Sequence, residues 1–373
     1  MNIPQTDITA DLPSIGRESD LLRVVEGAIE SRLPAGWQIQ TELGPRIPGW
    51  RPDAIFTLIS PGGQKGRLLV EARLGLEPRE IDGQLQLLEQ ASIDAPIEAE
   101  ERGAPMIVSR FISPRAKTLL EEAGACYADA TGNMRLVLDR PAIFLSTQGK
   151  LLNPWRETRD LRSLKGRTAS RLIRALCDLK PPFGVRDLVE RSGTSLGSAS
   201  RTVDFLSRDA LIERDARKQI TRVLVGELVE RWARDFKFSE QNEIVRGFEP
   251  RRLSTVLDSL RNFEGEYAIT GSFAANALAP YAEPRLLTIY AADLSLIQAE
   301  LSIKQAGSQS NVWLAQPKDD LPFVRTWDRD GLRYAAASQV ACDLFDMPGR
   351  SPQEAEEILR RNAIGEDLIA TSL

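Results

Sequence analysis

The chain has 373 residues, a net charge of −5 and no histidine. Its length predicts two or three domains, and its 42% hydrophobic and 27% charged residues are typical of a globular protein. The lack of histidine excludes a Ser–His–Asp triad, a histidine-activated cysteine and a histidine-bound metal. An enzyme with this composition would depend on carboxylates, lysines, arginines or hydroxyls, and its metal would be a hard cation such as Mg²⁺.

The sequence indicates a cytoplasmic protein. No apolar run approaches the ~20 residues that a membrane span needs, and residues 1–20 are polar, without a signal-peptide core. Cys126, Cys177 and Cys342 are far apart and match no zinc-binding spacing. We therefore expect buried, reduced thiols, no contact with a membrane and no cofactor.

Residues 1–150 alternate helical and strand patterns. Ser19 has the position of a helix cap, and the apolar residues after it predict a helix over 19–33. The other predicted helices are 81–91 and 113–123, the second capped by Ser113 and Pro114. The predicted strands are 37–43, 54–59, 67–72, 105–112 and 126–138, with turns at 61–63 and 131–133. This α-β-β-β-α-β-α-β order predicts a mixed α/β domain.

Two acidic residues of this domain have the spacing of a nuclease motif. Asp53 begins one predicted strand, Glu71 ends the next, and Arg73 follows two residues later. The pattern resembles the PD-(D/E)xK core of restriction-endonuclease-like folds. In that core two carboxylates hold Mg²⁺ and a lysine helps to activate the attacking water. The resemblance implies Asp53, Glu71, Arg73 and Gln84 as catalytic residues, with Asp53 and Glu71 as the metal ligands.

Arginine stands where this motif has its lysine. An arginine keeps its proton, and its planar fork differs in shape from an ammonium group. We therefore expect a restriction-endonuclease-like domain over 1–150 that has lost cleavage. Glu26 or Glu30 could add a further acid to the site. In the non-catalytic alternative, Asp53 caps a strand turn and Glu71 pairs with an arginine.

Positive charge is concentrated in the middle of the chain. Residues 156–222 contain 16 lysines and arginines against 9 aspartates and glutamates, a local net charge of +7. Such an asymmetry within an acidic chain favours a segment that faces nucleic acid. The polar and basic stretch 151–166 predicts a linker ahead of this segment.

Residues 167–226 have the pattern of a winged helix-turn-helix domain. Gly193 gives a sharp turn before the third predicted helix, whose N-terminal residues are small and carry hydroxyls. Such residues allow a helix to approach bases and phosphates in the major groove. The predicted helices are 168–179, 185–191 and 195–208, and the wing strands are 211–212 and 220–225, joined by a charged turn over 214–218.

The third helix and the wing are expected to contact double-stranded DNA. Arg201 suits a bidentate contact with guanine, and basic residues of the wing suit phosphates or the minor groove. The alternative is a helical subdomain that only packs or dimerises, which the local positive charge disfavours. The expected DNA-binding residues are Arg186, Thr194, Ser195, Ser198, Ser200, Arg201, Thr202, Arg217, Lys218 and Arg222.

Residues 227–373 carry part of a nucleotidyltransferase pattern. A predicted strand enters the turn Gly271-Ser272 and then a helix, which resembles the start of that fold. Metal-assisted nucleotidyl transfer needs two or three carboxylates, but the next predicted strand, 285–292, has none and only Asp293 follows it. We expect a degenerate, non-catalytic nucleotidyltransferase-like α/β domain that contains a buried helix over 334–347.

Short segments across the chain are similar to those of bacterial regulators of the AbiEi-family antitoxin-like group. They are 111–114 (FISP), 127–133 (YADATGN), 153–156 (NPWR), 194–197 (TSLG) and 341–344 (ACDL). The resemblance implies a winged helix that represses its own promoter. It also implies a neighbouring nucleotidyltransferase toxin of a type IV system as a partner protein.

These patterns together predict a sequence-specific transcriptional regulator, a repressor rather than an enzyme. A homodimer would bind a palindrome whose half-sites lie about one helical turn, or a multiple of it, apart. Two alternatives stay open. One is a Mg²⁺-dependent DNA endonuclease directed by the winged helix, and the other is an antitoxin that acts partly by protein contact.

Overall fold

The computed structural model describes residues 15–45, 51–94, 103–155, 163–250, 252–307 and 309–363. The chain divides into two compact units, Met1–Asp160 and Leu161–Leu373, so the segments predicted as middle and C-terminal domains lie in one unit. Both units mix helices and strands. In the described ranges no helix is long and apolar enough to cross a membrane. The three cysteines are buried and free, as the sequence predicted.

The first unit is a sheet with helices on both faces. Its described strands β1–β7 pair in sequential order. The pairs are antiparallel except for β3–β4 and β4–β5, which are parallel and are connected through helices, as parallel strands require. The elements are α1 Glu18–Glu30, β1 Gln38–Leu43, β2 Ala54–Ile59, β3 Lys65–Arg73, α2 Ile81–Asp94, β4 Ala104–Ser109, α3 Pro114–Glu122, β5 Cys126–Asp129, β6 Met134–Leu138 and β7 Ile143–Thr147.

Two hydrophobic layers hold this sheet. Helix α1 buries Leu21, Val25 and Ile29 with the residues of one face, whereas α2 and α3 pack on the other. The predicted order of elements up to β6 is confirmed, and β7 was not predicted. Ser113 caps α3 as expected, its Oγ accepting from Ala116 N at 3.2 Å. The cap predicted at Ser19 is wrong, because α1 already begins at Glu18.

The second unit begins with three helices and a two-stranded hairpin. Gly193, at φ 65°, ends the second helix in the left-handed region, where glycine is favoured. The predicted helices and wing strands are present, with their ends shifted by at most two residues. The elements are α4 Arg167–Asp178, α5 Val185–Ser192, α6 Leu196–Arg208, β8 Ile212–Arg214, β9 Ile220–Val223 and α7 Val225–Asp235.

The rest of this unit is a second sheet with surrounding helices. In the described residues its strand order is β13-β10-β14-β12-β11-β16-β15. The helix predicted over 334–347 is shorter, because Tyr334 ends strand β16 and pairs with Trp327 of β15. The elements are α8 Phe238–Gln241, β10 Asn242–Phe248, α9 Leu253–Arg261, β11 Tyr267–Thr270, α10 Gly271–Leu278, β12 Leu287–Ala291, α11 Leu294–Leu301, β13 Lys304–Gln305, β14 Val312–Pro317, β15 Trp327–Arg329, β16 Leu332–Tyr334, α12 Ala337–Leu344 and α13 Ser351–Ala363.

Candidate functional site

The N-terminal turn of α6 is exposed to solvent. Ser195 is its N-cap, and the Ser195 Oγ accepts from the backbone N–H of Ser198 at 3.3 Å. Leu196 and Gly197 are exposed beside it. Arg201, one turn later, is exposed and donates to Ser198 Oγ at 3.4 Å. Small side chains therefore leave the backbone of this turn open to a partner molecule.

The residues predicted around this turn differ in accessibility. Ser198 and Ser200 are half-buried, and the half-buried Thr194 shares a 2.8 Å hydroxyl contact with Ser192. The prediction for Thr202 is wrong, because only 2% of this residue is exposed. Helical spacing puts it on the side of α6 that packs into the core.

The β8–β9 hairpin lies against the exposed side of α6. The Arg214 guanidinium contacts Asp204 Oδ1 at 2.9 Å and also donates to the backbone oxygen of Lys218 at 3.3 Å. Arg214 therefore ties the hairpin turn to the helix one turn beyond Arg201. Asp215 shapes the turn by accepting from two backbone N–H groups, and Lys218 takes a left-handed φ of 62°.

Three of the predicted cations near this turn are exposed and form no ion pair with any described residue. They are Arg201, Arg217 and Lys218, which together with the first turn of α6 we term the basic surface. Arg186 is likewise exposed, on α5. Arg222 differs, because its guanidinium pairs with Glu213 Oε1 at 2.9 Å. The exposed pair partly neutralises that cation.

Other arginines of residues 156–222 form ion pairs within the second unit and so stabilise the fold. Arg167 pairs with Asp319 at 2.5 Å, and Arg171 contacts both Asp319 and Asp320. Arg174 is fully buried, with its guanidinium on Asp178, 3.1 Å away. The charge excess counted along the sequence therefore overstates the positive charge that is available to a nucleic acid.

The nuclease-like residues of the first unit lie close together. The Asp53 Oδ2 accepts from the backbone N–H of Ala72 at 2.8 Å, which places this carboxylate beside the end of β3. Arg73 pairs with Glu71 Oε1 at 2.6 Å and donates to Gln84 Oε1 at 3.1 Å. Glu71, Arg73 and Gln84 are thus directly linked, and Asp53 adjoins them through the backbone N–H of Ala72.

Burial raises the pKa of Glu71, and the neighbouring charge of Asp53 raises it further, whereas Arg73 lowers it. Glu18 of α1 also raises this pKa, so its charge reaches the site. Of the two further acids that the sequence suggests, Glu26 accepts from Thr41 Oγ1 at 2.6 Å and Glu30 is exposed. No local sequence pattern links Glu18 to Glu71, so its place beside the site depends on the tertiary structure.

The donor set of this cluster does not suit a metal ion as it stands. Over the described ranges no group of three or more histidine, cysteine, aspartate or glutamate side chains could hold one. Asp53 and Glu71 remain as a carboxylate pair, and the guanidinium of Arg73 is already bound to Glu71. A metal at this position would compete with that guanidinium.

The Gly271-Ser272 turn of the second unit is also occupied by protein groups. Ser272 donates to Glu354 Oε2 at 2.6 Å, so its hydroxyl is already bound by a carboxylate. A Cβ added to Gly271 would lie 3.0 Å from the sulfur of Met347. Asp293, the one candidate acid, caps α11 by accepting from Leu296 N at 3.0 Å. Nucleotide chemistry is not favoured here.

Comparison with known proteins assigns this chain to no family. No family model and no curated protein matches the chain. It is similar to one solved structure, EndoMS in its apo form, at 16% identity over 31% of this chain and 47% of that chain, with a TM-score of 0.21. The chain therefore spans less than half of that protein, and so low a TM-score carries no conclusion. The AbiEi resemblance stays a sequence-based prediction.

Proposed function

We propose that this protein is a sequence-specific, double-stranded DNA-binding regulator of transcription that acts as a repressor. The observation that carries the proposal is the basic surface, where the open first turn of α6 adjoins the hairpin turn through Arg214. Three helices followed by a hairpin, with a left-handed glycine before the third helix, match a winged helix-turn-helix.

In this proposal α6 enters the major groove with its N-terminal turn first. Arg201 reaches a base edge, and the hydroxyls of Ser195 and Ser198 contact phosphate or base. Arg217 and Lys218 of the hairpin turn contact the backbone of the flanking DNA, which provides affinity without reading sequence. Arg222 contributes less, since Glu213 already pairs with it.

The first unit then serves as a restriction-endonuclease-like scaffold without cleavage. Its order of elements and its Asp53–Glu71 pair support that fold assignment. The ion pair between Arg73 and Glu71 opposes metal binding, and an arginine is a poor substitute for the lysine of this chemistry. The C-terminal sheet, as a degenerate nucleotidyltransferase-like fold, would supply further contacts or dimerisation.

The proposal is tested by gel retardation of the DNA upstream of the protein's own gene, with a scrambled duplex as competitor and Mg²⁺ in the buffer. Arg201→Ala should weaken specific binding by about 1–3 kcal/mol and leave non-specific binding nearly unchanged. Lys218→Ala should weaken binding to both duplexes and lower the salt dependence by about one ion.

The matched control is Arg285→Ala, which removes the same charge from an exposed residue ahead of β12. It should leave both affinities unchanged. Equal effects of Arg201→Ala and Arg285→Ala would contradict the placement of α6 in the groove. DNA that is cut in Mg²⁺ and intact in EDTA would instead favour an endonuclease directed by the same helix.

A further inference from the structure

One leucine of the basic surface is exposed to solvent. Leu196, the first residue of α6, is 51% exposed and belongs to none of the hydrophobic clusters formed by the described residues. The other apolar residues of this helix are all buried: Ala199, Val203, Phe205 and Leu206. The turn therefore presents a single large apolar side chain among small and basic residues.

A glycine separates this leucine from Arg201 on the exposed side of α6. Successive residues of a helix are about 100° apart, so Gly197 lies between Leu196 and Arg201 around the helix axis. A Cβ added to Gly197 would meet nothing within 4 Å. A planar group can therefore approach the backbone at Gly197, with an apolar side chain on one side and a guanidinium on the other.

The charges around Leu196 favour a polyanion over a second copy of the same surface. Arg201, Arg217 and Lys218 are exposed and form no ion pair with the described residues. Asp204, the one carboxylate within α6, already pairs with Arg214 at 2.9 Å. Two such surfaces would repel each other, whereas DNA phosphates would neutralise their cations.

Among the base edges of the major groove, thymine carries an apolar group, its 5-methyl. We propose that Leu196 contacts the methyl group of a thymine and so makes a T·A base pair part of the recognised sequence. This inference rests on the proposed function, since it requires α6 to enter the groove. Five residues of α-helix rise about 7.5 Å, so the thymine should lie within roughly three base-pair steps of the base that Arg201 contacts.

The test compares two versions of the duplex upstream of the protein's own gene, amplified with either thymidine triphosphate or deoxyuridine triphosphate. Uracil lacks only the methyl group of thymine, so both duplexes keep the same hydrogen-bonding groups. The parent protein should bind the thymine duplex roughly fourfold more tightly or better, which is the effect of burying one methyl group. Leu196→Ser should bind the two duplexes equally.

The matched control is Leu296→Ser, at a position of α11 that is 52% exposed, and it should keep the preference of the parent. Thermal unfolding of Leu196→Ser should match that of the parent, because the leucine packs in no cluster of the described residues. Such a match attributes any loss of preference to the contact with DNA.

Single thymine-to-uracil exchanges locate the contact, which should fall within three steps of the position where Arg201→Ala no longer discriminates between bases. Specific binding with equal affinity for the two duplexes, or a preference that Leu196→Ser retains, overturns this inference and leaves the DNA-binding proposal in place. The absence of any specific complex with the thymine duplex overturns both.

Discussion

Asp343 of α12 is a carboxyl group with no exposed surface. Its Oδ2 accepts from Thr270 Oγ1 at 2.6 Å and from Tyr290 Oη at 2.9 Å, and its Oδ1 accepts from Gln339 Nε2 at 2.8 Å. Burial raises the pKa of Asp343 to about 7, although these hydrogen bonds and the charge of Arg174 oppose the shift. The protein therefore titrates a core group near neutral pH.

Such a shift makes stability depend on pH. The folded state holds the Asp343 proton up to about pH 7, whereas the unfolded chain releases it near 3.8, the ordinary pKa of an aspartate. The contribution of Asp343 is therefore fully present at low pH and is lost as pH rises towards 7. We expect the free energy of unfolding of the parent protein to fall by up to roughly 4 kcal/mol over that range. In Asp343→Asn, which lacks the titrating group, this fall should be absent.

Urea unfolding at several pH values measures this effect. Asparagine preserves the network, because its Nδ2 can donate to both hydroxyl oxygens and its Oδ1 can accept from Gln339. The variant should then be more stable than the parent near pH 8 and equal or less stable near pH 4. A pH dependence identical to that of the parent would show that Asp343 is already ionised in the fold.

Arg73 is the residue on which the nuclease-like site of the first unit depends. Arg73→Ala leaves the half-buried Glu71 without its cation, so the pKa of Glu71 should rise further. Because the pair is partly exposed to solvent, the loss of stability near pH 7 should be only about 1 kcal/mol. It should be smaller near pH 4, where Glu71 is protonated.

Arg79→Ala is a control for this variant, since it breaks the more exposed ion pair with Glu77, whose charged atoms lie 2.7 Å apart. Urea unfolding of both variants at the two pH values makes the comparison. A loss for Arg73→Ala that does not change with pH would contradict the electrostatic role of this ion pair.

At the scale of helices and strands, spacing predicted the amphipathic elements well. The apolar positions of α4, α5 and α6 recur at helical intervals, and all three helices formed. Strands β7, β10 and β14 escaped prediction for two reasons. In β7 burial alternates but the sequence does not, because the exposed Phe144 is apolar. In β10 and β14 burial itself gives no clean alternation. The prediction for Thr202 is wrong for a related reason: its hydroxyl suits a contact with DNA, but its helical position lies in the buried row of α6.

Two substitutions of Ser195, the N-cap of α6, distinguish its effect on helix stability from its effect on DNA binding. Ser195→Ala should reduce stability by about 1 kcal/mol, because the Ser198 N–H loses its acceptor. Ser195→Asp retains a capping oxygen and should keep the stability of the parent. In the DNA-binding proposal it should still weaken retardation of DNA, because its negative charge lies at the turn that approaches phosphates.

Thermal unfolding and gel retardation of the two variants are compared on the same preparations. If Ser195→Asp binds DNA as tightly as the parent protein, the first turn of α6 does not face the duplex. The α6 cap would then have only a structural role.

At the scale of the whole second unit, no local sequence pattern indicates that its basic helix docks on acidic residues far along the chain. Arg171 meets Asp319 and Asp320 about 150 positions away in sequence. Arg174 reaches the backbone oxygen of Val324 at 2.8 Å and Gln339 Oε1 at 3.2 Å. Pairings at such separations depend on tertiary structure, which local periodicity cannot encode.

Arg174→Met replaces a fully buried guanidinium with an apolar chain and leaves Asp178 with one cation, Arg325, whose Nε lies 2.9 Å away. Breaking a buried pair by removing one partner destabilises a protein by about 3–5 kcal/mol. Arg171→Ala, at the more exposed pair, should reduce stability by at most about 1 kcal/mol.

Urea unfolding gives the two free energies, and hydrogen exchange locates the change. For Arg174→Met, exchange should accelerate in α4 and α12, whereas the core strands β12 and β14 should respond only through the lower global stability. Equal effects of the two variants would mean that buried apolar contacts, rather than the Arg174 network, hold α4 on the C-terminal sheet. In that case α4 could change its position without breaking a buried ion pair.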